Sequence, residues 1–397
     1  MILTLSTDAQ SLLRKCPIFK TNLLPLLLQT ISQIEDSSSF LEDLQDTTLS
    51  LTSVPGTAQD VFAKLVPEIG VKFLLPVYSP LIKIALSTGE WKTIYAGLMV
   101  LGSLAEGMKE YYSSEMESVM SMLIPIMDCD HYLVEYSLMT AIALLCTEFT
   151  PQLQNKYHTN ILPYLLKKMQ SPYRKIQLRA ISTLINFSRD LVGQDSTNIL
   201  DPYLSSLLPS IQGLLQVSLS SICYPLQEEL LSLLSNLSLL LPPASSSPFY
   251  QLFMPSLKTL LLSPISSENV QQVNIRALTI ECIGYLASSL KDPILLRTDI
   301  ESIMVFLTNL ESTLPNDDPQ RQAILGCYLR FAEALGTDFA VYLEKVFPSI
   351  IKAAEITVDF SLQDEVILSL IYLKIIQFSL GKGANREKRK KNHSGFD

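Results

Sequence analysis

One short phrase recurs along this 397-residue chain: an apolar pair, a proline, then more apolar residues. It reads NLLPLLL around Pro25, FLLPVYS around Pro76, MLIPIMD around Pro125, ILPYLLK around Pro163, LLPSIQG around Pro209, FMPSLKT around Pro255 and VFPSIIK around Pro348. Successive prolines are 51, 49, 38, 46, 46 and 93 residues apart. The last interval is double the usual one, so one unit lacks its proline, the one containing SIMVFLTNL at 302–310. Chains with such a period need no single large core, because each unit buries its apolar face against its neighbours.

Between the proline phrases runs a second kind of segment. Examples are 91–107, 134–149, 174–188, 274–288 and 321–336. Their apolar residues recur at i, i+3, i+4 and i+7, which is a helical stripe, and Ala and Gly on one side let a paired helix approach closely. Each unit is therefore a proline-bearing helix A, a turn and a helix B. A proline inside helix A deletes one backbone hydrogen bond and bends the helix. The period brackets the roughly 40–47 residues of a HEAT or armadillo unit, so the expected fold is all-α: a right-handed HEAT-repeat superhelix. About eight units are expected, at 1–34 with 57–70, 72–107, 111–149, 153–191, 199–241, 249–290, 296–337 and 339–380. No alternating run bounded by hairpin turns argues for strands.

Three stretches depart from the pattern. Residues 35–56 are acidic and rich in Ser and Thr, which reads as a solvated insertion loop. Residues 241–248 (LPPASSSP) read as an inter-helix turn. From Gly381 the chain is polar, charged and aperiodic, the signature of a disordered tail, so the solenoid is expected over 1–380 and a basic tail over 381–397. The segment 364–380 is apolar nearly all round, which is expected of a helix buried on both sides; with the abrupt start, it suggests a piece of a longer array.

Composition excludes several classes. Hydrophobic residues make up 48% and charged residues 17%, an apolar balance that raises the question of a membrane. The richest stretch, 204–241, is broken by its Ser and Gln residues and by Pro225, Glu228 and Glu229, so no window reaches the ~18 consecutive apolar residues of a spanning helix. The first residues have no signal-peptide pattern, so a soluble intracellular protein is expected. Six cysteines (16, 129, 146, 223, 282, 327) form no CxxC pair and read as small buried hydrophobes. Of the 30 Lys/Arg and 39 Asp/Glu, six and two lie in 381–397, which leaves a net charge of −13 on the rest. An acidic body opposes a nucleic-acid groove and favours basic partners.

Chemistry is poorly supplied. No GxGxxG, GxxxxGK[ST], HExxH or GxSxG string occurs, so neither an enzyme nor a cofactor or metal site is expected. His158 reads as a cap or surface residue just before a helix A, His131 as part of a turn with Asp128 and Asp130, and Trp91 as a packing anchor opening a helix B. The carboxylates Glu228, Glu229, Glu281, Asp317 and Asp318 are the candidates for contact with a basic partner. Asp317 and Asp318 also suit a helix start, where acids stabilise the N-terminal dipole. The run REKRKK (386–391) is basic enough for a localisation patch and equally typical of a solvated tail.

Several ordered phrases resemble the importin-beta (karyopherin-beta) superfamily, in its importin beta-3 branch. These are LRKCPIFKTNLLPLLL (13–28) with its acidic loop, WKTIYAGLMVLGSLAEG (91–107), LINFS (184–188), FYQLFMPSLK (249–258), TIECIG (279–284), DDPQ (317–320) and LGTDFAVYLEKVFPSIIKAAEI (335–356). The family tends to carry Arg two residues before the Ala of helix B; Ile94 and Glu135 stand there instead, with Arg179 and Arg276 nearby in their own repeats. The resemblance implies a nuclear import receptor that shuttles between cytoplasm and nucleus. Such receptors take basic localisation signals on acidic inner B-helix surfaces and place Phe-Gly motifs of nucleoporins in slots between outer A helices. They release cargo to Ran-GTP, whose main site lies in repeats preceding the matched portion. No nucleic-acid or membrane partner is implied. The competing expectation is a HEAT-repeat scaffold that assembles other proteins without transport.

Overall fold

The computed structural model describes residues 10–37, 39–42, 53–191, 197–266, 268–290, 294–315 and 317–356. All regular elements among them are helical. The chain forms two compact units, 1–210 and 211–397. The first holds α1 (Gln10–Lys15), a π turn (Phe19–Leu23), α2 (Leu24–Ile31), α3 (Ser39–Glu42), α4 (Val54–Ile69), α5 (Val71–Ser87), α6 (Trp91–Ala105), α7 (Met108–Tyr112), α8 (Met116–Leu123), α9 (Tyr132–Glu148), α10 (Gln152–Met169) and α11 (Arg174–Arg189). Helix α12 (Leu204–Ser221) contains the boundary. The second unit continues with α13 (Tyr224–Leu240), α14 (Pro243–Leu262), α15 (Val270–Ser289), α16 (Ile294–Thr313), α17 (Gln320–Leu335) and α18 (Leu343–Ile356).

Within each unit the helices pair as A then B and stack side by side, the arrangement of a HEAT-repeat solenoid. In the first unit the B helices α4, α6, α9 and α11 each touch the next; in the second, α13, α15 and α17 do. Seven A–B pairs lie among the described residues, and α18 is the A helix of an eighth. The expected apolar helix at 364–380 and the basic tail lie outside the described residues.

Local chemistry sets the helix ends. Ser53 caps α4 by accepting from the Gly56 amide at 3.1 Å, with Pro55 in the first turn. Asn269 caps α15 through the Gln272 amide at 3.2 Å. Gly70, at φ 90°, ends α4 and begins α5 in a single residue, a conformation that side chains with a Cβ rarely adopt. The prolines at 76, 163, 209, 255 and 348 lie inside A helices, as expected. Pro25 instead starts α2, and at Pro125 the α-helix gives way to a 3₁₀ turn over Ile124–Asp128. Helix α16 spans the expected proline-free unit.

Three expectations need correction. Residues 243–248 are the first turns of α14, not a turn, because Pro242 at the N-cap and Pro243 at the first helical position lose no internal hydrogen bond. The insertion ends at Ser53 rather than 56, and part of it is packed: α3 lies against α11. Only Cys146, Cys282 and Cys327 are fully buried; the other three cysteines are partly exposed. Burial pushes the Cys282 thiol up to about 12, far from a reactive thiolate.

Glycine sits where neighbouring helices come closest. A Cβ on Gly284 would stand 3.2 Å from the Cα of Cys327 on α17, and one on Gly102 would stand 3.3 Å from the Cα of Ala141 on α9. These are contacts between successive B helices, not between the A and B helices of one unit; Gly97, against Ala85, serves that second purpose. Replacing Gly284 with Val should lower stability by ~1–3 kcal/mol through overpacking, despite the helix-propensity gain of ~0.5 kcal/mol. Denaturant unfolding of the chain checks this; an unchanged midpoint would remove the close approach from the account.

Candidate interaction surface

The five carboxylates singled out in the sequence all lie in the second unit. Glu228 and Glu229 sit in the second turn of α13, half-buried. Burial raises the Glu228 carboxyl above its ordinary range. Gln272 donates to the Tyr224 hydroxyl at 3.1 Å, which sets the first turns of α13 and α15 side by side. Glu281 is half-buried and lies eleven residues into α15, about 16 Å along it at 1.5 Å per residue. Asp318, one residue before the N-cap Pro319, accepts from the backbone amide of Gln320 at 2.9 Å and from its side-chain amide at 3.1 Å, so it holds the first amide of α17; Asp317 is exposed beside it. The five thus fall at separate points along three stacked helices. No group of three His, Cys, Asp or Glu among the described residues could hold a metal ion.

Basic groups near these carboxylates are committed to structure. Arg276 donates to the Ser263 carbonyl at 2.5 Å and lies over the Phe306 ring at 5.6 Å, holding the end of α14 to α15. Arg321 donates to the carbonyls of Pro315 at 2.6 Å and Glu311 at 3.1 Å, so it holds the end of α16. Buried Glu311 also accepts from the Tyr328 hydroxyl at 3.3 Å. These arginines join A to B within a repeat.

In the first unit, Glu135 on α9 accepts from Lys168 on α10 at 2.5 Å, with side-chain exposures of 10% and 6%. This buried pair joins the third repeat to the fourth. Ile94, at the equivalent place one repeat earlier, is simply buried apolar surface.

The two internal histidines differ from expectation. His158 lies inside α10, not before it, with Nδ1 3.1 Å from the Tyr203 hydroxyl. His131 is the N-cap of α9, accepting from the Leu133 amide at 3.3 Å, and its ring stacks on Trp91 with centroids 4.1 Å apart. Burial lowers the His131 pKa, against the opposing pull of Asp36 and Glu135. Sequence reasoning missed the aromatic row that continues from there through Tyr132 to Tyr173, with Tyr136 one turn on. The signal was present as Tyr132 and Tyr136 four apart, facing Lys175 and Arg179 four apart on the next B helix.

On the other side of the first unit, a groove of about 300 Å³ opens between the A helices α5 and α8. Pro76, Pro80, Leu101, Met108, Val119 and Met122 supply its apolar lining, with Lys83 and Glu115 also present. No helix among the described residues is long and apolar enough to cross a membrane.

Comparison with known proteins places a likeness beside this geometry. The chain is 27% identical over 310 residues to importin subunit beta-3 of Saccharomyces cerevisiae, a match covering 78% of this chain and 27% of that one. The chain is similar in sequence to this member of the importin-beta superfamily. It spans about a quarter of the length of that curated relative. No protein-family model matches it. Among solved structures, Kap121p bound to Ste12p superposes with a TM-score of 0.73 at 21% identity, covering 94% of this chain and 38% of that one. Kap121p bound to RanGTP gives a TM-score of 0.70 at 23% identity, covering 90% and 34%. At these identities the structures show the shared fold.

Removing one partner of a buried ion pair strands the other charge. Lys168→Met should therefore lower stability by ~3 kcal/mol, and adding Glu135→Gln should recover most of the loss. Thermal unfolding of both variants checks this; a single variant as stable as the parent would show that the pair is not load-sharing.

Proposed function

We propose that this chain is the binding segment of a nuclear transport receptor, taking basic protein segments on its B-helix layer. The observation that carries this reading is the sequence match to importin subunit beta-3 over 78% of the chain. The acidic balance of the body and the half-buried carboxylates on successive B helices support it, since an acidic layer attracts Lys-rich segments and steers their approach. Ran-GTP is the expected releasing partner, and the related structures of Kap121p with RanGTP and with Ste12p support both kinds of contact. The groove between α5 and α8 has the size and apolar lining to receive one aromatic side chain, which suits a nucleoporin Phe-Gly motif. The receptor would move between cytoplasm and nucleus.

A labelled Lys-rich peptide titrated into the chain should bind, with affinity falling about tenfold from low to physiological ionic strength. The variant Glu228→Gln, Glu229→Gln, Asp317→Asn, Asp318→Asn should bind several-fold more weakly while keeping the start of α17, because the Asn side-chain oxygen also accepts from a backbone amide. Salt-independent binding, or none, would sink the reading. For the groove, Met122→Glu should weaken capture of a Phe-Gly peptide and leave the Lys-rich peptide unaffected.

A further inference from the structure

The chain places part of itself on its own B-helix layer. Helix α3, cut from the acidic insertion, sets Phe40 between α9 and α11. The Phe40 ring meets Tyr136 edge-on with centroids 5.1 Å apart, and Tyr132 at 5.9 Å. The Lys175 amine lies 4.4 Å from the Phe40 centroid, and the Arg179 guanidinium lies 4.5 Å from that of Tyr136 while donating to its hydroxyl at 2.5 Å. Four residues before Phe40, Asp36 accepts from the Tyr132 hydroxyl and stands 3.9 Å from His131 Nε2; the Ser37 carbonyl accepts from the same hydroxyl at 3.2 Å. Under this cover Tyr136 is 2% and Lys175 3% exposed.

We propose that the surface formed by Tyr132, Tyr136, Lys175 and Arg179 is a docking site for acidic, phenylalanine-bearing peptide segments, and that Asp36, Ser37 and Phe40 occupy it as parts of a tethered ligand. Three features point the same way. The site joins two cations to an aromatic floor, a combination that holds a Phe ring through cation–π and edge contacts. Its occupant carries the complementary chemistry: Glu35, Asp36 and Glu42 flank Phe40. The occupant is also no part of the repeat pattern, since the A–B pair around it is completed by α2 and α4. A tether gives such a ligand an effective concentration in the millimolar range, so a free segment of the same kind competes poorly until the tethered one is released. The cationic site is built on B helices of the first unit and selects the charge opposite to that of the segments proposed for the carboxylates of the second. It stands independently of the transport reading.

The test uses a fluorescein-labelled peptide of sequence EDSSSFLED (35–43) and the full chain. Phe40→Ala should bind it at least about tenfold more tightly than the parent, in keeping with release from the tether, and the peptide with Phe replaced by Ala should not bind. Equal binding to parent and variant, or binding to neither, overturns the proposal. A second variant replaces 36–42 with a Gly-Ser linker of equal length. It should also bind, and lose binding when Lys175→Ala is added. If both variants fail to fold by circular dichroism, the segment is a structural part of the unit and not its ligand, which likewise overturns the proposal.

Discussion

Everything in this molecule depends on how closely successive B helices approach. A helix pair alone cannot hide both its apolar flanks, and at ~1.5–3 kcal/mol per buried Leu, Ile or Phe the remaining flank has to find the next pair. Gly102 and Gly284 remove the side chains that would hold neighbours apart, so backbone meets backbone. With that contact made, buried rings such as Phe62, Phe187, Phe253 and Phe331 fill the space between the layers. The same stacking brings the N-terminal ends of α6, α9 and α11 into one row, which is why Trp91, His131, Tyr132 and Tyr173 line up although they come from three repeats.

The repeat was legible in the sequence because its signal is periodic. Seven prolines and the helical stripes gave helix order, and the missing proline was located correctly inside α16. What sequence could not supply was anything depending on a contact between distant positions. The start of α14 was misread because Ser and Pro are typical of turns, yet both suit the first turn of a helix, where amides need no internal partner. The insertion was judged by composition, which is polar; its one large aromatic residue near the start, Phe40, decides where it goes. Among the site candidates, Asp318 took the helix-start role its position allowed, while Glu228 and Glu281 show no more than a place on successive B helices. Glu135 was noted only as a departure from the family pattern, and its meaning came from Lys168, 33 residues away.

Charge is therefore distributed by depth as well as by sign. Arg276 and Arg321 are used up in holding carbonyls at helix ends, where cations complement the dipole. Lys175 and Arg179 serve an aromatic floor. The half-buried acids of α13 and α15 sit on successive B helices, which is where the proposed basic partner would meet them. The net charge of the chain points to a class of partner; the structural employment of the cations is what gives that charge a surface.

The ion pair between α9 and α10 carries a consequence for how such arrays change over time. Repeats are often pictured as interchangeable beads, each able to be duplicated, lost or transplanted. Here the carboxylate belongs to one bead and its ammonium to the next. A breakpoint between residues 149 and 152 would leave each daughter with an orphan charge in a dry interface. Separating the third repeat from the fourth would therefore call for a compensating substitution at Glu135 or Lys168.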